Sequence, residues 1–293
     1  MAERIVRANG IEIWCEDFGS PRDPAVLLVM GAGGQGILWP DEFCAALVAA
    51  GHYVIRYDNR DTGQSTCREF AAAPYTLSDM ARDAVGVLDA HGVERAHVVG
   101  ASMGGMIGQT LAIEHPERLR SLTSIMSSPA GGGIMKAMLG GGGDARLPAP
   151  APRVLEYMRA SAEKPPRTDA ERIDAAVALW RVLSGSGEPF DEPAVRARET
   201  LILARARNID AAQNHQLAIG ASPDRDALLR SVQVPTLVIH GSDDPILPLP
   251  HGRATADAIP GAKFLELEGV GHDMPPGAQK RILEAFLAHA RER

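Results

Sequence analysis

Cysteine is scarce: Cys15, Cys44 and Cys67 are the only three in 293 residues, and no two form a C-x-x-C pair. No zinc knuckle or dithiol redox motif is therefore expected, and an odd, sparse set fits reduced thiols in a cytoplasm. Positive charge is also short. Thirty Lys and Arg stand against 37 Asp and Glu, a formal net charge of −7. Such a chain offers no basic footprint to neutralise the phosphates of nucleic acid or an anionic membrane. Long apolar runs are missing as well, and nothing approaches the roughly 20 residues that span a bilayer. The opening Met1-Ala2-Glu3-Arg4-Ile5 has no charged stretch leading into an apolar one, so no export signal is expected. These absences together predict a cytoplasmic protein whose partner is a small molecule.

What the chain does have is rhythm. Ile11-Glu12-Ile13-Trp14-Cys15 alternates apolar and polar after an Asn9-Gly10 turn dipeptide, which predicts a hairpin. Ala25 to Met30 is a continuous apolar run, as in a strand buried on both faces. Helical spacing over Phe43 to Ala50 leads to a strand at Tyr53 to Tyr57. A helix over Ser78 to His91 follows, with Ser78 as its N-cap. Ala96 to Val99, Met103 to His115 and Leu119 to Met126 continue as strand, helix and strand. Such alternation predicts a mostly parallel, twisted sheet flanked by helices, an α/β fold. From about Ser127 to Ser222 the pattern turns helical, with Gly131 to Gly133, Gly140 to Gly143 and a Pro/Ala-rich stretch at its start. The alternation resumes at Val234 to His240 and ends with a strand at Lys263 to Leu267 and a helix over Ala278 to Arg291. Residues 1–127 and 223–293 are expected to form the core, and 128–222 a helical cap inserted after the sixth strand.

The strongest chemical signal is Gly100-Ala101-Ser102-Met103-Gly104, a G-x-S-x-G between a strand and a helix. A sharp strand-to-helix turn needs small residues two before and two after the serine, and it lifts the hydroxyl above the sheet edge. A serine needs a base. Of the nine histidines, His272 lies in a glycine-flanked loop after the last strand, on the face where all parallel-strand ends open. The base needs an acid to fix its tautomer. Asp243 and Asp244 follow the strand ending at Gly241. Asp244 is preferred on position, Asp243 is the fallback and Asp273 the third choice. The order Ser, Asp, His is then the one this kind of elbow carries. An oxyanion needs donors. The Met103 amide is one, and Ala32 in Met30-Gly31-Ala32-Gly33 is the other, with Gly33 as alternative. No Gly-Lys-Ser/Thr follows, so this is no P-loop. In the Asp58 to Ser65 loop, Arg60 either clamps a substrate anion or belongs to a buried charge network, and the network is favoured. Gly31, Gly33, Trp39, Met135, Met138, Trp180 and His215 are candidate substrate-binding positions. The Met and Trp residues are equally well explained as packing.

The Gly100 to Gly104 elbow, the Asp58 to Ser65 loop, Pro235 to Pro248 and Gly269 to Met274 together resemble α/β-hydrolases over nearly the whole chain. Within them the chain looks most like aclacinomycin methylesterase-type enzymes, on the strength of Ile55 to Gly63, Ala96 to Gly100 and Val234 to Ile239. The resemblance implies a carboxylic or methyl ester substrate and no cofactor or metal. Many relatives carry His-Gly before the oxyanion residue, where this chain has Met30-Gly31, which keeps the amide donor. The helical insertion matches in position and less in sequence.

The expected function is serine-dependent hydrolysis of a small-molecule ester through an acyl-enzyme. Lactonase, amidase, C–C bond hydrolase and perhydrolase chemistry remain alternatives on the same site. A ligand receptor has no need of all three of Ser102, Asp244 and His272. No nucleic acid or membrane-spanning partner is expected, and monomer and homodimer are both open.

Overall fold

The computed structural model describes residues 2–133 and 146–291. Strands β1 (Ala2–Ala8) and β2 (Ile11–Phe18) form the expected hairpin, pairing Ala8 with Ile11. Asn9 and Gly10 both take positive φ, 47° and 79°. A two-residue turn needs that conformation to match the strand twist, and Asn-Gly accepts it. Then come β3 (Ala25–Val29), α1 (Asp41–Ala49), β4 (Tyr53–Tyr57), α2 (Leu77–Ala90), β5 (Ala96–Ala101), α3 (Met103–Glu114) and β6 (Leu119–Ile125). The segment between β6 and β7 (Thr236–Gly241) contains α4 (Pro152–Glu163), α5 (Asp169–Leu183), α6 (Glu192–Arg205), α7 (Asn214–Ala221) and the short α8 (Asp226–Leu229). Its described residues include no strand. The chain closes with α9 (Pro250–Ala258), β8 (Lys263–Leu267) and α10 (Pro276–Arg291).

The eight strands form one sheet in the order β1-β2-β4-β3-β5-β6-β7-β8. Only the β1–β2 and β2–β4 pairings are antiparallel. Side chains alternate across a strand, so neighbours in β3 enter different cores. Leu27 joins Ile55, Val98, Met80, Leu88 and Ile107 on the α2/α3 face. Leu28 joins Val54, Val99, Phe43, Leu47 and Phe286 on the α1/α10 face. Both faces are covered, which is why β3 reads as an unbroken apolar run. Among the described residues no helix is long and apolar enough to cross a membrane.

The start of α2 differs from expectation. Thr76, not Ser78, is the N-cap, because Asp79 stands three residues on and closes a capping box with it. Ser78 instead donates to Glu114 at 2.5 Å.

Below the sheet, His97 in β5 is buried, with Nδ1 2.8 Å from Ser121 Oγ and its ring against His52 and Phe286. Burial, then the nearby His52, Arg120, His289 and Arg95, push its pKa from 6.5 down to about 4. A folded-state pKa below the unfolded one means the unfolded chain binds the proton first. Stability from this site is therefore intact above pH 6.5 and falls as pH drops toward 4, by about 3 kcal/mol in all. His97→Asn, whose amide reaches Ser121 as Nδ1 does, is expected to flatten that acid dependence. Denaturant unfolding at pH 4.5 and 7.5 checks it: the gap in stability between the two pH values should shrink in the variant.

Candidate active site

Ser102 stands between β5 and α3 with φ 53° and ψ −118°. Non-glycine residues rarely adopt this region, at a cost of roughly 1–3 kcal/mol. The surroundings hold it there. Its N–H donates to Ile125 O at 2.8 Å, and its carbonyl accepts from Ser127 Oγ at 2.8 Å and from Gly105 N–H at 2.9 Å. The glycines explain themselves by contact. A Cβ on Gly100 would lie 2.2 Å from Gly104 O, and one on Gly104 2.1 Å from Val29 O. The turn therefore tolerates no side chain at either place.

Four strand ends converge on this point. The β8 loop brings His272, whose Nε2 lies 3.0 Å from Ser102 Oγ. The β7 loop brings Asp244, whose Oδ2 lies 2.7 Å from His272 Nδ1. Asp244 is fully buried at its side chain, and its Oδ1 accepts the amides of Ile246 (3.0 Å) and Leu247 (2.8 Å). An anionic acceptor on Nδ1 fixes the proton there, which leaves the Nε2 lone pair facing the serine hydroxyl. Asp243 points elsewhere: Ser186 donates to it through both N–H (3.0 Å) and Oγ (2.6 Å). Those bonds, with one from Ser242, hold its pKa below the usual carboxylate value. Asp273 accepts from Ser184 Oγ at 2.9 Å, and burial raises its pKa. Neither competes with Asp244 for the imidazole.

The β3 loop supplies the remaining wall. Gly34 N–H donates to Gly31 O at 3.1 Å, and Gly33 has φ 73°. That is a type II turn, which calls for glycine at its third residue. Gly31 packs directly on Ser102, since a Cβ there would sit 3.1 Å from Ser102 Cβ. The Gly33 N–H donates to His215 Nδ1 at 2.9 Å, so Gly33 is spent as an oxyanion donor. Among the described residues, neither the Ala32 nor the Met103 N–H has a hydrogen-bond acceptor.

Several candidate substrate contacts lie elsewhere. His215 is wholly buried, with Nδ1 on Gly33 N–H and Nε2 donating to Arg60 O at 2.7 Å. Both nitrogens are used by main chain, so it braces the β3 loop and has none left for a substrate. Burial lowers its pKa, in keeping with a neutral ring. Trp39 is 1% exposed and stacks near Phe43 in the α1/α10 core. Trp180 bridges α5 and α6, donating to Glu199 at 2.8 Å beneath the Arg198 guanidinium. Packing has claimed both indoles. Met135 and Met138 lie outside the described residues. Arg60 makes two 2.6 Å bonds to Asp83 and stacks over Tyr75. Asp58 accepts from Gly36 N–H, Gln64 N–H and Arg205. The loop is thus a buried charge network. Among the described residues no group of three or more His, Cys, Asp or Glu is arranged to hold a metal ion.

Two features escaped the sequence reading. His240, at the end of β7, lies fully buried beneath the acid, with Nε2 donating to Leu247 O at 2.7 Å and 3.5 Å from Asp244 Oδ2. Burial lowers its pKa. A histidine four residues before the acid was the available signal. The other feature is the loop between α5 and α6, which runs along the His272 loop.

A family model for the alpha/beta hydrolase fold matches residues 24–275. The chain is 39% identical to the rhodomycin D methylesterase DauP of Streptomyces sp. (strain C5) over 295 residues, covering 99% of each. It is 32% identical to the putative carbamate hydrolase RutD of Variovorax paradoxus (strain S110), over 93% of this chain and 95% of the relative. Among solved structures, the enol-lactonase from Burkholderia xenovorans LB400 superposes with a TM-score of 0.77 at 23% identity, covering 98% of this chain and 100% of that one, a likeness of fold. With the elbow on the β5–α3 turn and the strand order above, these matches make the chain a member of the α/β hydrolase fold family.

Proposed function

We propose that this ester hydrolase cleaves a carboxylic ester of a small molecule through an acyl-enzyme on Ser102. The observation that carries the reading is the relay from Ser102 Oγ to His272 Nε2 (3.0 Å) and from His272 Nδ1 to Asp244 Oδ2 (2.7 Å). His272 takes the hydroxyl proton as Ser102 attacks the acyl carbon. Negative charge then grows on the former carbonyl oxygen, and the amides of Ala32 and Met103, which have no acceptor among the described residues, receive it. The tetrahedral adduct collapses, and His272 passes its proton to the departing alkoxide. Water repeats the sequence on the acyl-enzyme and releases the acid. Asp244 stays ionised and holds the imidazolium. The helical segment between β6 and β7, described over residues 128–133 and 146–222, acts as the cap that sets which acyl group fits.

The 39% identity to a methylesterase along the full chain supports a methyl ester as the substrate class. The test is a panel of methyl esters, lactones, amides and carbamates, read as free acid by mass spectrometry, run beside a fluorophosphonate probe. Methyl ester turnover and a probe adduct on the peptide carrying Ser102 are expected. An adduct elsewhere, or turnover of the carbamates alone, would refute the reading.

A further inference from the structure

The cap loop between α5 and α6, residues 183–188, lies against the two loops that carry the base and the acid. Its carbonyl at Leu183 accepts the His272 N–H at 2.8 Å, and its Gly187 N–H donates to Gly269 O at 2.8 Å. Ser184 Oγ donates to Asp273 at 2.9 Å, and Ser186 donates twice to Asp243. Glu188 accepts the Gly277 and Ala278 amides at the start of α10, both at 3.2 Å. The loop thus bonds to the residue after the base and the residue before the acid, and to the base's own main chain.

The fit is at backbone distance. A Cβ on Gly185 would fall 2.1 Å from Gly269 O and 2.4 Å from Gly271 N. One on Gly271 would fall 2.2 Å from Leu183 O. On the other side, the Asp243 N–H donates to Val270 O at 3.0 Å. The histidine loop is therefore sandwiched between the acid loop and the cap.

A catalytic base must be held within about 0.5 Å of its working position. We infer that the cap loop 183–187 is a positioning element for His272, with Gly185 and Ser186 as its key residues. The inference rests on the relay reading given above. Its consequence is that cap seating and base alignment are one event. A cap that lifts takes the acceptor for the His272 amide with it. Specificity alone gives a different expectation, because a cap that only shapes the acyl pocket matters most for large acyl groups.

The experiment compares p-nitrophenyl acetate with p-nitrophenyl octanoate in wild type, Ser102→Ala, Gly185→Ala, Ser184→Ala/Ser186→Ala and Ser186→Thr. Gly185→Ala is expected to lower kcat by about 10- to 100-fold, the scale of an ångström-size misplacement. The double serine variant adds no volume and is expected to lose about three- to tenfold. The loss should be the same factor for both esters, with KM within about threefold. Amide exchange at 269–272 should speed up in the double variant, and Ser186→Thr, which keeps a hydroxyl on Asp243, should stay close to wild type. A folded double variant with kcat within about twofold of wild type, or a loss confined to octanoate, overturns the proposal. If Gly185→Ala does not fold, the double variant decides. Hydrolysis that persists in Ser102→Ala instead sinks the relay reading, and the two failures separate because amide exchange reports the loop contact without any turnover.

Discussion

Ser102→Ala is expected to lower kcat by about 10^4- to 10^6-fold, with KM little changed. In the proposed mechanism the hydroxyl is the atom that bonds to the acyl carbon, and no other hydroxyl in the described site has an imidazole Nε2 at 3.0 Å. Removing one oxygen leaves the backbone contacts at Ile125, Ser127 and Gly105 in place, because they engage the Ser102 main chain. The melting temperature should therefore stay close to wild type while turnover disappears. Steady-state kinetics beside calorimetry checks both. A variant with more than about one-hundredth of wild-type kcat would remove Ser102 from the mechanism.

Asp244→Asn should cost nearly as much, about 10^4-fold in kcat. Both carboxylate oxygens accept: Oδ1 from two amides, Oδ2 from His272 Nδ1. An asparagine has one oxygen to offer. With its oxygen on the amides, its NH2 faces Nδ1 and drives the ring proton to Nε2. A proton then points at Ser102 where a lone pair is needed. The opposite rotamer sets NH2 against the Ile246 and Leu247 N–H groups. Asp243→Asn makes the paired control. Its partners are Ser186 and Ser242, and it touches no imidazole. That variant should stay within about tenfold of wild type. If the two variants exchange rank, the acid is Asp243.

That Asp244 and not Asp243 lies 2.7 Å from His272 Nδ1 was legible because a loop must travel a few residues from Gly241 before its side chain turns back toward the sheet edge. The elbow was legible for a similar reason. Its turn is so tight that steric exclusion writes Gly100 and Gly104 into the chain. The parallel core showed in the apolar run of β3, since a strand covered on both sides leaves no polar alternation. The helical insertion showed in its period. What its helices touch did not. Trp39 and Trp180 are amphipathic rings, equally at home in a core or a pocket, and the core took Trp39 while the α5–α6 seam took Trp180. His215 was singled out for the right neighbourhood and the wrong task, because its partners are backbone atoms distant in sequence. The cap loop was not read for the same reason: Gly185 and Gly271 mark a close approach, but not which backbone each meets, and the main-chain contacts at Leu183 and Gly187 have no residue-type signature. Thr76 and Ser78 are both good caps, and the deciding Asp79 lies at the capping-box offset from the former only.

β3 and β5 are neighbours in register, with Val29 opposite Gly100. The amides of Ala32 and Met103 emerge just past those two points, so ladder spacing, about 4.8 Å between strands, governs how far apart they stand. On the proposed reading, the groups that receive the growing charge are thus atoms that every residue but proline owns. Met103 also buries its side chain completely in the α2/α3 core, which fixes its amide from a second direction. In that same reading, the cap can change its acyl preference by exchange of side chains while these two donors stay fixed by the strand ladder.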